Sequence, residues 1–530
     1  MRRCREQGRR QVRRETRTRE TGEVTARRAA AEQKLLLCAL FLSSLCGIVY
    51  ELVLGSLATY LLGNPVSQYS ITIGVFLFAM GAGSYLSRFL EEGIVRAFIF
   101  IEAALGLTGG VSVLCLNFFF SFTASYYALH VFFVAVIGGM VGFEIPLLVR
   151  ALKRHGELKA VIANVLALDY MGGLAGSLLF PLLMFPHLGR FLTSIVIGVM
   201  NIGAAVALIA YVDYPGKRRS DALFPLAAIA LLLILAVFSG EITHALQQRL
   251  YADDIVFSRR SRCQEIVLTR GGDDFRLYLD GSLQFSTSDE YRYHEMLVHP
   301  ALALLGAREK SVLILGGGDG LALREALRDP LVTRAVLVEL DPEMIMLARE
   351  NSSFVRINAG SLHDPRARVV TGDAYAYLRG DPGTYDCIIA DFSDPHDETI
   401  SKLYTVEFYR LVKRALTEGG VFVTQSTSPL SARDAFWCVS STLRQVFPHV
   451  LPYHVMVPSF GDWGFNLASE SVIDPEKAGE GPAGLRYYAR ASFLAALHFP
   501  RDSGENPVRV NTFDCPVLYT YYLKGWKYSE

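Results

Sequence analysis

The chain has 530 residues, 51% of them hydrophobic and 20% charged, with 52 Lys and Arg against 52 Asp and Glu. Such a length exceeds a single core, and so large an apolar excess argues against a disordered chain and for a membrane part. The zero net charge hides three regions: 12 basic against 5 acidic residues in 1–34, 10 against 9 in 35–240, and 30 against 38 in 241–530.

The acidic last region repels phosphates, which argues against nucleic acid as its partner and admits cationic substrates. The eight cysteines (Cys4, Cys38, Cys46, Cys115, Cys263, Cys387, Cys438 and Cys515) form no Cys-x-x-Cys pair. They read as scattered small hydrophobes rather than a zinc framework or a secreted disulfide scaffold.

In chain order, residues 1–34 are Arg-rich without apolar periodicity and read as a basic disordered head. A cleaved signal peptide does not fit, because the apolar run that follows is too long and is one of many. Residues 35–240 read as a membrane domain of about seven transmembrane helices, at 35–58, 68–88, 95–118, 126–149, 161–185, 188–212 and 221–240. Each approaches the roughly 20 apolar residues that a bilayer crossing needs. Small residues recur in them, as in Gly81-Ala82-Gly83-Ser84 and Gly172-Gly173-Leu174-Ala175-Gly176, and let helices approach closely. Four acids, Glu51, Glu102, Glu144 and Asp169, fall inside these runs and are candidate functional groups, since a charge in lipid is costly.

With seven spans, the head, Arg88, Arg96, Arg150-Ala151-Leu152-Lys153-Arg154 and Lys217-Arg218-Arg219 share one side. The excess of basic residues makes that side cytoplasmic and puts the C-terminal region outside. An enzyme fed from the cytosol would need the opposite.

Residues 241–300 read as a β-rich lead-in, with strands at Gln264–Leu268 and Arg276–Leu279 joined across Gly271-Gly272-Asp273-Asp274. Residues 301–470 then alternate short apolar strands with helical stretches, the strands at Val312–Leu315, Ala335–Glu339, Ala367–Val370, Cys387–Ala390 and Val421–Gln425. That alternation specifies a doubly wound, Rossmann-like α/β sheet. Residues 471–530 read as a covering extension, with a helix over Leu485–Leu497.

Four elements of this half carry chemistry. Gly316-Gly317-Gly318-Asp319-Gly320 follows the first strand, where glycines allow a tight turn and close approach of a ligand. Glu339 ends the next strand, 21 residues after Gly318, where an acid suits ribose hydroxyls. Asp373, in Thr371-Gly372-Asp373-Ala374, follows the third strand and can accept from an adenine amino group. Asp391 and Asp394, in Ala390-Asp391-Phe392-Ser393-Asp394-Pro395, close the fourth and can orient and deprotonate an amine. Together they point to a nucleoside donor such as S-adenosylmethionine or a relative. Asp319 would repel the carboxylate of S-adenosylmethionine and attract a donor that keeps only its amine, which argues against an ordinary membrane-anchored methyltransferase.

Residues from about 260 to 470 resemble the spermidine synthase (polyamine aminopropyltransferase) family. The resemblance rests on Leu279-Asp280-Gly281-Ser282-Leu283-Gln284, Asp289-Glu290, Tyr293-His294-Glu295-Met296, the four elements above, and Leu403-Tyr404-Thr405-Val406-Glu407-Phe408-Tyr409. Ile48-Val49-Tyr50-Glu51-Leu52 and Gly142-Phe143-Glu144-Ile145-Pro146 resemble the membrane-fused branch of that family.

The resemblance implies a multi-span helical domain followed by a class I methyltransferase-like domain with a small N-terminal β-region. Asp391 would then accept the proton of the attacking amine. Asp319, His294 and Tyr293 would contact the polyamine or aminopropyl group, Asp394 would help hold the diamine, and Gln264, Glu339, Asp373 and Ala374 would hold the methylthioadenosine portion. The expected co-substrate is decarboxylated S-adenosylmethionine, the acceptor a diamine such as putrescine, with no metal and no resident cofactor. The chain is expected in the inner membrane as a homodimer or higher oligomer. Transport or sensing of polyamines by the membrane acids is the alternative. The sequence departs from the soluble members at His396-Asp397-Glu398 and at Phe460, where a tyrosine is usual, which leaves the acceptor amine open.

Overall fold

The computed structural model describes residues 2–62, 65–120, 126–153, 157–248 and 250–527. The chain divides into two compact units, Met1–Ala252 and Asp253–Glu530. The division falls later than the expected 240/241, because a short helix after the last apolar run groups with the first unit.

The first unit is helical: α1 (Arg2–Leu62), α2 (Pro65–Leu86), α3 (Ile94–Phe120), α4 (Tyr126–Leu152), α5 (Leu158–Leu179), α6 (Phe185–Tyr211), α7 (Leu223–Val237) and α8 (Ser239–Gln248). The helix α1 reaches back to Arg2, where disorder was expected. Arg, Glu, Gln and Ala dominate that stretch, and their high intrinsic helix propensity accounts for the difference.

Among the described residues, six helical stretches are long and apolar enough to cross a membrane: Ala30–Leu62, Pro65–Phe89, Ile94–Phe120, Tyr126–Leu152, Leu158–Tyr211 and Arg219–Val237. The fifth, at 54 residues, holds two of the seven expected spans. It would measure about 80 Å if straight, against a hydrocarbon core of about 30 Å, but it breaks at Gly189 (φ 68°, ψ −174°). Gly172 lies against Phe41 and Gly176 against Leu45, so α5 runs alongside α1 in the same direction. Past the break, Arg190 donates to Ser56 at 2.9 Å and Cys46 to the Ile197 carbonyl at 3.7 Å, so α6 runs back along α1. The unit therefore has seven arms. Arg150 donates to the carbonyls of Ser87 (2.7 Å) and Leu90 (2.8 Å), and Arg96 pairs with Asp221 (2.8 Å) at the same end. The last arm finishes at the opposite end.

Close contacts explain the small residues. A side chain on Gly83 would strike the Gly139 backbone, and one on Gly142 the Met80 backbone. Of the four acids, Glu102 and Glu144 are fully buried, whereas Glu51 and Asp169 are half-buried. Ser43 donates to Glu102 at 2.7 Å, and Ser44 to the Asp169 carbonyl at 2.6 Å. One oxygen each of Glu102 and Glu144 is buried without a partner among the described residues.

The second unit opens with an antiparallel sheet of β1 (Asp254–Arg260), β2 (Glu265–Gly271), β3 (Asp274–Leu279) and β4 (Ser282–Ser286), in that order. Helix α9 (Glu290–Leu304) leads to β5 (Lys310–Gly316), α10 (Leu321–Arg328), β6 (Val332–Glu339), α11 (Pro342–Glu350), α12 (Ser352–Ile357), β7 (Ala367–Thr371), α13 (Ala374–Arg379) and β8 (Tyr385–Asp391). Then come α14 (Glu398–Ser401), α15 (Val406–Ala415), β9 (Leu416–Gln425), α16 (Arg433–Leu443), β10 (His449–Val457), β11 (Gly461–Ser469), α17 (Arg490–Ala495) and α18 (Leu518–Lys527).

The main sheet has the order β10-β11-β9-β8-β5-β6-β7. Strands β7, β6, β5, β8 and β9 are parallel, and β11 and β10 are antiparallel additions at one edge. The chain winds outward from β5 to β7, then returns to β8 on the other side. That reversal opens a crevice at the C-terminal ends of β5 and β8, the usual ligand position in open α/β sheets. Two apolar clusters, around Val312, Ile314 and Ile389 on one side and Leu313, Leu315 and Ile388 on the other, fill the two faces.

The helix expected over Leu485–Leu497 shrinks to α17. Gly481, Pro482 and Gly484 disfavour helix just before it. The extended backbone instead gives the N–H groups of Arg486, Tyr487 and Tyr488 to the buried Glu295 carboxylate at 2.8, 2.7 and 2.8 Å.

Candidate active site

A cavity of about 660 Å³ lies at the crevice. Of the residues selected from the sequence, Gln264, Tyr293, His294, Gly316, Gly317, Gly318, Asp319, Glu339, Asp373, Ala374, Asp391 and Asp394 line it. Gly320 does not. It caps α10 at φ 81° and leaves no room for a side chain against Leu362, so its part is in the turn.

The glycine loop is shaped by its neighbours. Gly317 donates its N–H to the Asp391 carbonyl at 3.0 Å and has φ 64°. A Cβ there would lie 2.9 Å from Asp391 Oδ2, and one on Gly318 would lie 2.6 Å from Glu339 Cγ. The loop is glycine because the two acids stand where side chains would go.

Glu339 accepts from the N–H of Asp341 at 2.9 Å and of Gly318 at 3.1 Å. Burial still pushes it up to about 7. Gln264 donates to Asp341 at 3.1 Å beside it. Asp373 caps α13 through the Ala376 N–H at 2.8 Å and meets Lys402 at 3.3 Å.

On the other side of the loop, Tyr293 donates to Asp391 Oδ1 at 2.7 Å. The Leu321 N–H holds Asp319 at 2.9 Å. His294 Nδ1 meets Glu290 Oε2 at 2.8 Å, and Arg324 donates to the same oxygen at 2.9 Å. Burial alone would lower His294, but the Glu290 hydrogen bond and the charges of Glu290, Asp319 and Asp391 raise it to about 9. Burial raises Asp391, and raises Asp319 to about 6 against the pull of His294. Burial likewise raises Asp394 to about 6, against hydrogen bonds from Tyr522, Gln425 and Thr427.

His294, Asp319 and Asp391 bring one potential ligand atom each within 4.8 Å of one another. That spacing suits a divalent ion or an ammonium group. A histidine protonated up to about pH 9 competes poorly as a metal ligand, because metal binding requires the neutral ring. The surplus of buried carboxylates favours an organic cation.

Further groups complete the site. Gln425 donates to the Phe392 carbonyl at 2.8 Å, to Tyr404 at 2.7 Å and to Asp394 at 3.3 Å, fixing the loop that bears the two acids. Its place at the end of a strand was the only sequence signal. Asp289 accepts from the Ser459 N–H at 2.6 Å and hydroxyl at 2.9 Å, and so seats the β10–β11 turn that carries Phe460. Tyr522 and Trp526 complete the wall from α18.

A model of the spermine/spermidine synthase domain matches residues 290–476. A polyamine aminopropyltransferase of Leptospira interrogans is 39% identical over 93% of this chain and 99% of that protein. The polyamine aminopropyltransferase 1 of Streptomyces coelicolor is 41% identical over 93% of this chain and 94% of that protein. The chain belongs to the polyamine aminopropyltransferase family. A crystal structure of spermidine synthase in complex with the transition-state analogue AdoDATO is 32% identical, covering 47% of this chain and 86% of that one at a TM-score of 0.44.

This aminopropyltransferase thus has its catalytic half in the second unit, on a Rossmann-like sheet. The two curated relatives match across the helical first unit as well, so that unit belongs to the family members they represent.

Proposed function

We propose that the enzyme moves the aminopropyl group of decarboxylated S-adenosylmethionine to a diamine, putrescine foremost, giving spermidine and methylthioadenosine. One observation carries this reading. Asp319, Asp391 and Asp394 line a single cavity with the glycine loop and Glu339, so acids outnumber the two histidines, His294 and His396, that share the lining.

Each residue has a part in that reaction. Glu339 takes the ribose hydroxyls, while Gln264, Asp373 and Ala374 border the adenosine. Asp319 meets the donor's free amine and disfavours the carboxylate of S-adenosylmethionine. Asp394 holds the far ammonium of the diamine. Asp391 faces the attacking amine, with Tyr293 fixing its orientation.

The chemistry explains why a base is needed. The amine nitrogen attacks the carbon next to the sulfonium, the carbon–sulfur bond breaks, and its electron pair neutralises the sulfur. A primary amine with a pKa of about 10 is neutral in only about one molecule in a thousand near pH 7. Asp391 accepts the proton it must lose. The sulfonium charge disappears at sulfur as one forms at nitrogen, so alignment of the two reactants contributes much of the rate. The decarboxylated nucleoside is a co-substrate, consumed at each turnover.

We further propose that the first unit lies in the inner membrane as seven spans. The support is the six long apolar stretches and the reversal at Gly189. Incubation of the purified chain with decarboxylated S-adenosylmethionine and putrescine tests the catalytic reading: spermidine and methylthioadenosine should form in equal amounts.

A further inference from the structure

The C-terminal segment carries no family motif, yet it reaches the site. Asn511 donates to the carbonyls of Ser401 and Tyr404 at 3.1 Å each, and accepts from the Leu518 N–H at 3.3 Å, where α18 begins. This clamp ties α18 to the chain that follows Asp391 and Asp394. Leu518 is buried, and Tyr522 and Trp526, one turn apart, enter the cavity wall. Their rings lie 6.1 Å apart at 52°.

Tyr522 and Asp394 line the same cavity, and the phenol lies near enough to act on that carboxylate. The other side chains on that carboxylate, Gln425 and Thr427, stand at 3.3 Å, which is long for such bonds. Trp526 has its indole N–H buried without a partner among the described residues. Aromatic faces beside a carboxylate also suit an ammonium group.

We propose that α18 is the acceptor-selecting wall of the site. Tyr522 positions Asp394 for the far ammonium of the amine, and Trp526 limits the length of amine that fits. This rests on the reading of the cavity as an aminopropyl-acceptor site. It makes Tyr522 a positioning residue and Trp526 a specificity residue for a short diamine.

The test measures steady-state constants for the donor, for putrescine, and for cadaverine, which is one methylene longer, in the full chain and in Tyr522→Phe, Trp526→Ala and Trp526→Phe. Tyr522→Phe should raise the putrescine KM about tenfold and leave the donor KM within about twofold. Trp526→Ala should raise the cadaverine-to-putrescine ratio of kcat/KM at least about tenfold, in the range that one methylene commands in a shaped pocket. Trp526→Phe should restore most of the wild-type ratio, and thermal melting should show all variants folded. If the wild type transfers to putrescine but Tyr522→Phe shifts both KM values together, or Trp526→Ala leaves the ratio unchanged, this inference falls alone. A wild type that accepts no amine overturns both the inference and the reading beneath it.

Discussion

Tyr293 donates a hydrogen bond to Asp391 Oδ1 at 2.7 Å, while Asp391 Oδ2 lies against Gly317, where a Cβ would come within 2.9 Å of it. One oxygen of the carboxylate is thus held by the phenol, and the other stands at the Gly317 backbone, where only glycine leaves it room. A phenol on one oxygen fixes the plane of the group without supplying a counter-charge, which is what a proton acceptor for an incoming ammonium requires.

Replacing Asp391 with Asn should abolish transfer, by at least about a thousandfold, and leave donor binding near wild type. A group that acts as a base in the transition state lowers kcat when it is lost rather than weakening ground-state binding. Product formation and the donor Kd measured side by side check this.

Gly317→Ala should lower kcat about a hundredfold or more with the protein folded. The added Cβ meets Asp391 Oδ2 and also sits at φ 64°, a conformation that costs alanine about 1 kcal/mol. Single-turnover rates with near-UV spectra as the folding control distinguish this from a general loss of structure.

Three buried acids set a pH dependence. Asp319 and Asp394 are raised to about 6 and Glu339 to about 7, in each case first by burial. Between about pH 4 and these values the folded chain binds more protons than the unfolded one, so stability from these groups falls as pH rises. His294, raised to about 9, adds stability that is complete below about 6.5 and is lost as pH climbs through 9. The ligand-free enzyme should therefore melt lower at pH 8 than at pH 5. Putrescine should raise the melting temperature more at pH 8, where the acids are ionised. Thermal melts at the two pH values, with and without amine, check both signs.

Glu325 shows how the second unit holds its site from behind. It is buried, meets His299 at 3.0 Å, and accepts from Arg324 at 2.8 Å and Arg328 at 3.2 Å. Burial would raise it, but these three partners bring it down to about 2. Arg324 in turn holds Glu290, which holds His294. Glu325→Ala should cost about 3–5 kcal/mol, as loss of one partner of a buried pair does. It should also lower the His294 pKa. Urea melts and histidine NMR titration measure the two effects.

The odd number of arms in the helical unit predicts that reporters at residue 1 and residue 530 report opposite sides of the membrane. Paired fusions, fluorescent only inside or active only outside, check this. The side that holds the C-terminal reporter also decides between the excess of basic residues and cytosolic donor supply.

The parallel strands were legible because each carries a short apolar run, and all but the edge strand β7 bury it on both faces, as Val312–Leu315 and Cys387–Ala390 do. Strands β10 and β11 were not, since polar residues such as His454, Asp462 and Asn466 interrupt their apolar runs. Within the site, residues in local motifs were found because the loops that present them are local. Gln425 and Tyr522 reach Asp394 from distant parts of the chain, and only the fold brings them there. Gly320 carried the same sequence signal as Gly316–Gly318 but serves the turn, because it lies three residues past Gly317 and packs against Leu362 instead of an acid of the site. Among the membrane acids, the interior positions of Glu102 and Glu144, against the half-buried Glu51 and Asp169, depend on helix rotation, which a nearly uniform apolar sequence does not specify.

Aminopropyl transfer through Asp391 can be read from product analysis of the purified chain given decarboxylated S-adenosylmethionine and a panel of diamines, beside the Asp391→Asn variant. One methylthioadenosine should form for each aminopropylated amine, most with putrescine and none in the variant. Full turnover by the variant, or methylation of the amine from S-adenosylmethionine in place of aminopropyl transfer, would contradict it.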